Sequence, residues 1–132
     1  MSDEKHETGM RVRREVLGDA YVDGAIAKTT AFSAAFQDFL TRYAWGTVWA
    51  SGALDRRTRS AITIAVLTAL GREHELPTHL KAAVRNGLSH EEIAEVLRHT
   101  AVYAGVPAAN TAFSIAQRAL EDEGAPALGP DA

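Results

Sequence analysis

Apolar residues recur every three or four positions along most of this chain, the spacing of helices that bury one face. From about Glu4 to Leu17 charge and apolarity alternate at that spacing, and Gly18 ends the run. Asp19 is placed to cap a short helix through Ala27. Phe32, Ala35, Phe36, Phe39, Leu40 and Tyr43 then form an aromatic-rich helical face, and Trp45 and Trp49, four apart, extend it. Asp55 reads as the N-cap of a helix from Arg56 to Leu70, with Gly71 as its stop. That helix is apolar nearly all round, and a helix without a polar face is buried. In a chain of 132 residues this predicts that other subunits cover part of it.

Pro77 fits only a helix's first turn, so the next helix begins near residues 73–76, runs to Asn86 and ends at Gly87. Ser89 with Glu92 makes a capping box. The helix it opens places Ile93, Val96, Leu97, Thr100, Ala101 and Ala104 on one face. Pro107 reads as the first helical position of a last helix that reaches about Glu121, and G-A-P-A-L-G-P-D-A, residues 124–132, reads as a loose tail. No strand pattern interrupts. The pattern predicts a single all-α domain over residues 1–123, a compact bundle of about six helices, with 25 alanines letting them approach closely.

Composition narrows the function. Net charge is -3 and the basic residues are scattered, against the basic stripe of a nucleic-acid binder. There are no cysteines, which removes disulfides, thiolate metal sites and thiol redox chemistry, and fits a reducing cytoplasm. M-S-D-E-K-H-E is too charged for a signal peptide. The longest apolar stretch, Ala61 to Leu70, is broken by Thr63 and Thr68 and is half of the roughly twenty residues a bilayer requires. A soluble, cytoplasmic protein without membrane or nucleic-acid partners is expected.

Candidate chemistry gathers between Gly71 and Pro107. Glu75 and His79 are four apart and share a helical turn, close enough for the carboxylate to orient and charge the imidazole. Arg72 precedes them and can point its guanidinium fork at a substrate carboxylate. The plainer alternative is an acid that favours a helix dipole beside a histidine that only packs. His99 and Tyr103 are also four apart, with packing as the plainer role. Trp45 and Trp49 fit a core or subunit contact as well as a ligand wall. His74 and His79 are five apart and His90 and His99 nine apart, neither a same-face metal pair, and His90 is expected in solvent. Neither a nucleophile elbow nor a phosphate or dinucleotide loop is present, so no metal or cofactor is expected.

The run E-x-x-x-H-L-x-x-A-x-x-x-G-L-x-x-E-E-I-x-E-V-L, followed by Y-A-G-V-P-A-A-N-x-A, resembles the carboxymuconolactone decarboxylase family. R-R-E-V-L-G-D-A-Y-V-D and R-Y-A-W-G-T-V-W carry the likeness toward the N-terminus, so that it spans about Gly9 to Glu121. The wider superfamily holds the alkylhydroperoxidase D-like proteins, whose pattern is Glu, eleven residues, C-x-x-C, three residues and His. Here its cysteine positions hold Arg72 and Glu75 and its relay glutamate position holds Ser60, so only His79 is shared and thiol peroxidase chemistry is absent.

The resemblance implies an alkylhydroperoxidase D-like helical fold assembled as a homo-oligomer, a trimer or hexamer. It implies cofactor-independent decarboxylation of 4-carboxymuconolactone to the β-ketoadipate enol-lactone in the breakdown of protocatechuate and related aromatic acids. Within it His79 would supply the proton with Glu75 keeping it charged and aimed. Arg72 would meet the substrate carboxylate, Arg59 and Arg85 being lesser candidates, and Trp45, Trp49 or Tyr103 would line the pocket. A relative acting on another lactone or keto acid, and a non-catalytic helical oligomer that kept the fold, are the alternatives.

Overall fold

Helix boundaries follow the punctuation of the chain. The computed structural model describes residues 3–121, so the expected tail 124–132 lies outside the described residues. Among those described there are seven α-helices, one π-helix and no strand. They are α1 (Glu4–Leu17), α2 (Asp19–Ala27), α3 (Ala34–Leu40), the π-helix Thr41–Trp49, α4 (Arg56–Leu70), α5 (Leu76–Arg85), α6 (His90–Ala104) and α7 (Val106–Glu121). The all-α expectation holds. No helix among the described residues is long and apolar enough to cross a membrane. The chain divides after Asp55 into two units, each with its own core.

In the first unit α1 lies along the π-helix, and Val12 and Val16 bury Trp45 between them. Gly9 sets how close the two backbones come. A Cβ there would collide with the Thr41 carbonyl, with the Gly46 nitrogen at 3.1 Å. Gly46 answers from the other side, its own Cβ position only 2.6 Å from the Lys5 carbonyl. Arg13 is buried beside this contact, where Nη1 donates to Oε1 of Gln37 at 3.3 Å. Burial pulls its pKa down, since desolvation disfavours the charged form.

Two sequence expectations are corrected here. Asp19 does not cap α2 from outside but is its first residue, and Gly18 is the N-cap. The Asp19 carboxylate instead takes Arg14 at 3.0 Å, which also reaches Asp23 at 2.8 Å. Nor do the tryptophans extend the phenylalanine face. Phe36, Phe39 and Tyr43 are exposed and follow ring to ring along the outside, and Phe32 is 99% exposed, whereas Trp45 points into the core with Trp49 against it. The switch from α3 to the wider π-turn, with its i→i+5 bonding, breaks the 3.6-residue register assumed from sequence.

The second unit packs α4, α5, α6 and α7 around Ile64, Leu76, Leu80, Ile93 and Leu97, with alanines of α7 closing the core. The capping box is present: Ser89 Oγ accepts from the Glu92 N–H and the Glu92 carboxylate from the Ser89 N–H, both at 3.0 Å. Arg57 of α4 pairs with Glu92 of α6. Apolar as α4 is, only Ser60, Ile64 and Thr68 of it are buried. Ile62, Val66 and Leu70, each four residues on, stand out as an exposed apolar stripe.

Gly9→Ala is expected to destabilise the fold by about 1–3 kcal/mol, the usual cost of forcing atoms into a filled contact, because backbone rather than a mobile side chain blocks the new methyl. Urea unfolding measures it; an unchanged midpoint would show that α1 can move away freely.

Candidate active site

One turn of backbone places the predicted residues. The last turn of α4 closes on Gly71 at φ +70, a left-handed conformation cheap only for glycine. The Gly71 N–H donates to the Thr68 carbonyl at 3.2 Å and the Arg72 N–H to that of Leu67 at 2.9 Å, a Schellman pair that uses up two orphan carbonyls. Arg72 then accepts from the Leu76 N–H at 3.1 Å, and α5 starts at once. Pro77 occupies its first turn, as its missing N–H requires.

Glu75 is the N-cap of α5, but its side chain caps nothing and is exposed. Its carbonyl accepts from the His79 N–H at 3.4 Å, so the two residues are one turn apart. His79 is half-buried in the subunit, and its pKa lies below the ordinary 6.5. Desolvation is the larger cause, and attraction to Glu75 opposes it without overcoming it. The balance therefore differs from the reading in which Glu75 keeps the imidazole charged: in the free subunit burial favours the neutral imidazole.

Arg72 lines a crevice of about 80 Å3 among the end of α4, the start of α5 and the start of α7, with Thr68, Leu76 and Ala108 in its walls. Thr68 is only 3% exposed, and its hydroxyl has no hydrogen-bond partner. Sequence reading saw Thr68 only as a break in an apolar run. The available signal was a hydroxyl three residues before a helix-ending glycine in an otherwise apolar helix.

The remaining candidates are spread out. Arg59 lies in α4, where its carbonyl accepts from the Thr63 hydroxyl at 2.8 Å. Arg85 is in the last turn of α5, a favourable place for a cation beside the helix dipole. Tyr103 is 82% exposed, its ring 5.4 Å from that of His99. His99 borders a broad hollow of about 500 Å3 between α4 and α6. Trp45 and Trp49 belong to the first unit, their ring centres 5.3 Å apart.

His90 departs from expectation. Rather than meeting solvent, its Nε2 is buried without a partner beside an apolar cavity of about 330 Å3 between α6 and α7. Among the described residues no group of three or more His, Asp or Glu is arranged to hold a metal ion.

Within one chain, then, Arg72 lines the small crevice while His79 borders none of the three cavities above. A half-buried imidazole near the start of a helix can donate a hydrogen bond to a developing oxyanion, or take up a proton when an anion arrives.

The sequence profile of the family described as "Carboxymuconolactone decarboxylase family" matches residues 34–118. A protein of Acinetobacter baylyi named 4-carboxymuconolactone decarboxylase is 45% identical over 125 residues, 94% of this chain and 93% of that protein. One of Metarhizium robertsii, named nitrosuccinic acid decarboxylase, is 37% identical over 125 residues, 92% of this chain and 87% of its own. A Pseudomonas putida protein named 4-carboxymuconolactone decarboxylase is 46% identical over 43 residues, 33% of this chain.

His79 is expected to titrate below 6.5, and Glu75→Gln to lower it further, because the carboxylate is what raises it. NMR titration of the imidazole tests this, and an unmoved pKa in the variant would uncouple the pair. The sign for stability follows: a folded pKa below the unfolded one means the unfolded chain binds the proton more tightly. His79 therefore adds stability above pH 6.5 that is lost as pH falls through its folded pKa.

Proposed function

Because this chain belongs to the carboxymuconolactone decarboxylase family, we propose that it decarboxylates 4-carboxymuconolactone to the β-ketoadipate enol-lactone. The observation that supports this most is the 45% identity with the Acinetobacter baylyi protein of that name, spread over nearly the full length of both chains. The absence of cysteine sets the chain apart from thiol peroxidases.

The substrate is an unsaturated five-membered lactone with a carboxylate and an acetate arm on one ring carbon. As the bond to the carboxylate breaks, its electron pair moves through the ring double bond to the lactone carbonyl oxygen. A proton added next to that carbonyl gives the enol-lactone, so each turnover releases one CO2 and consumes one proton. The lactone is its own electron sink, and the chemistry requires no metal or organic cofactor.

Arg72 meets the arm carboxylate, Arg59 and Arg85 being the lesser candidates. Burial favours the neutral form of His79 in the free subunit, and the charges of the bound dianion raise its pKa so that it takes up a proton with the substrate. It then aids the oxyanion and protonates the ring. Glu75 supports the charged imidazole in that complex.

The pocket is completed by assembly as a trimer or hexamer of this chain. The motive is the apolar stripe Ile62, Val66 and Leu70 on α4, together with exposed Val102, Tyr103 and Val106. Such surfaces on one small subunit mark interaction sites. In the assembled protein Tyr103 is a candidate for the pocket wall, whereas Trp45 is taken up by the core of the first unit.

The Metarhizium robertsii relative favours a second reading, a decarboxylase of another acid. By their names, the acids of the two full-length relatives both pair a leaving carboxylate with an electron-withdrawing group, a lactone in one and a nitro group in the other. Purified protein mixed separately with freshly made 4-carboxymuconolactone and with nitrosuccinic acid, with CO2 release followed, decides between them. Release from neither leaves an enzyme for another lactone or keto acid, or a non-catalytic oligomer.

His79→Ala is expected to lower kcat roughly 10²- to 10⁴-fold, the usual worth of a positioned proton donor. A folded variant with near-normal turnover would remove His79 from the mechanism. Val66→Glu places a charge in the apolar stripe and is expected to shift the protein to smaller species in light scattering. An unchanged mass would move the subunit contact elsewhere.

A further inference from the structure

We propose that the crevice lined by Arg72 and Thr68 seats the carboxylate that the substrate keeps, with the Thr68 hydroxyl as a specificity-determining donor. The proposal rests on the decarboxylase reading above and identifies where that reading's retained acid group binds.

Thr68 is the one threonine among the described residues whose hydroxyl is buried without a partner. Other threonines on these helices spend theirs on the carbonyl one turn back: Thr41 on Gln37 at 2.8 Å, Thr63 on Arg59 at 2.8 Å, Thr100 on Val96 at 2.7 Å. Thr68 is at least as buried as Thr63 and Thr100 and makes no such bond. A buried hydroxyl without a partner is costly, and its persistence marks a place where a ligand supplies the acceptor.

The surroundings favour an acceptor that is anionic. The Schellman turn consumes the Thr68 and Leu67 carbonyls, the oxygens that would repel an anion at this end of α4. Arg72 follows that turn directly and makes no ion pair with any described residue. The first turn of α7 reaches the same wall through Ala108, an N-terminal position whose N–H lacks an intrahelical acceptor, whereas the Leu76 N–H of α5 is already bonded to the Arg72 carbonyl. Glu73 also lies on the wall, but it is exposed, where water and salt screen it.

The size of the crevice fits the role. About 80 Å3 admits a carboxylate and its methylene, and is too small for the whole substrate. Leu76 in its wall and His79 are three residues apart on α5, so their side chains are neighbours one helical turn apart. An acid arm held in the crevice leaves the ring outside it, on the side of His79.

Thr68→Val keeps the shape and removes the hydroxyl. It is expected to raise KM about tenfold with kcat nearly unchanged, the loss of one hydrogen bond to a charged group. The melting temperature should hold or rise, because an unpaired buried polar group has been removed. Thr68→Ser should keep the wild-type KM. An unchanged KM in Thr68→Val, or a fall in kcat alone, overturns the proposal.

A second measurement stands apart from turnover. Succinate titrated into the 15N-labelled whole protein should shift the Arg72 and Ala108 amides in the wild type, and much less in Thr68→Val. Equal shifts in both proteins overturn the proposal. Should neither acid release CO2, the decarboxylase reading fails while this titration still decides whether the crevice binds a carboxylate.

Discussion

The second unit hangs on the hydrogen-bonded turn at Gly71. A residue with a Cβ is strained at φ +70, and without that turn α4 would have no compact stop. With it, α4 ends, Arg72 is fixed within one residue of the stop, and α5 begins four residues later. Guanidinium, carboxylate and imidazole thus lie along one short path of chain. The turn also strips the end of α4 of two carbonyls, so that the site at its foot is richer in donors than a helix C-terminus usually is.

Burial then sets the charge state. His79 sits deep enough that desolvation outweighs the attraction of Glu75, and Glu75 is too exposed to reverse it. A neutral resting imidazole suits a site that receives a dianion, because the incoming charge itself makes protonation favourable. In the proposed mechanism the proton arrives with the substrate, and the empty site is spared an isolated buried cation.

Much of the fold was legible because it is local. The capping box at Ser89, the stops at Gly18, Gly71 and Gly87, and Pro77 in a first turn each depend on a few neighbouring residues, and each lies where the pattern put it. What failed depends on longer-range or quantitative balances. A π-helix shifts register without a sequence mark, so Trp45 and the phenylalanines were assigned one face when they occupy two. Asp19 found Arg14 a better partner than its own helix end. The charge of His79 is a difference between two opposing effects, and spacing shows only one of them. Thr68 was invisible for another reason: an unmade bond leaves no pattern.

Helix α4 looks two ways. On its inner side it presents the orphan hydroxyl of Thr68, and on its outer side the Ile62, Val66 and Leu70 stripe. A single rigid rod therefore joins the surface suited to meeting a neighbour with the wall of the crevice. Lineages that remodel one side inherit constraints from the other, and drift in quaternary structure and drift in acid preference should travel together through this family.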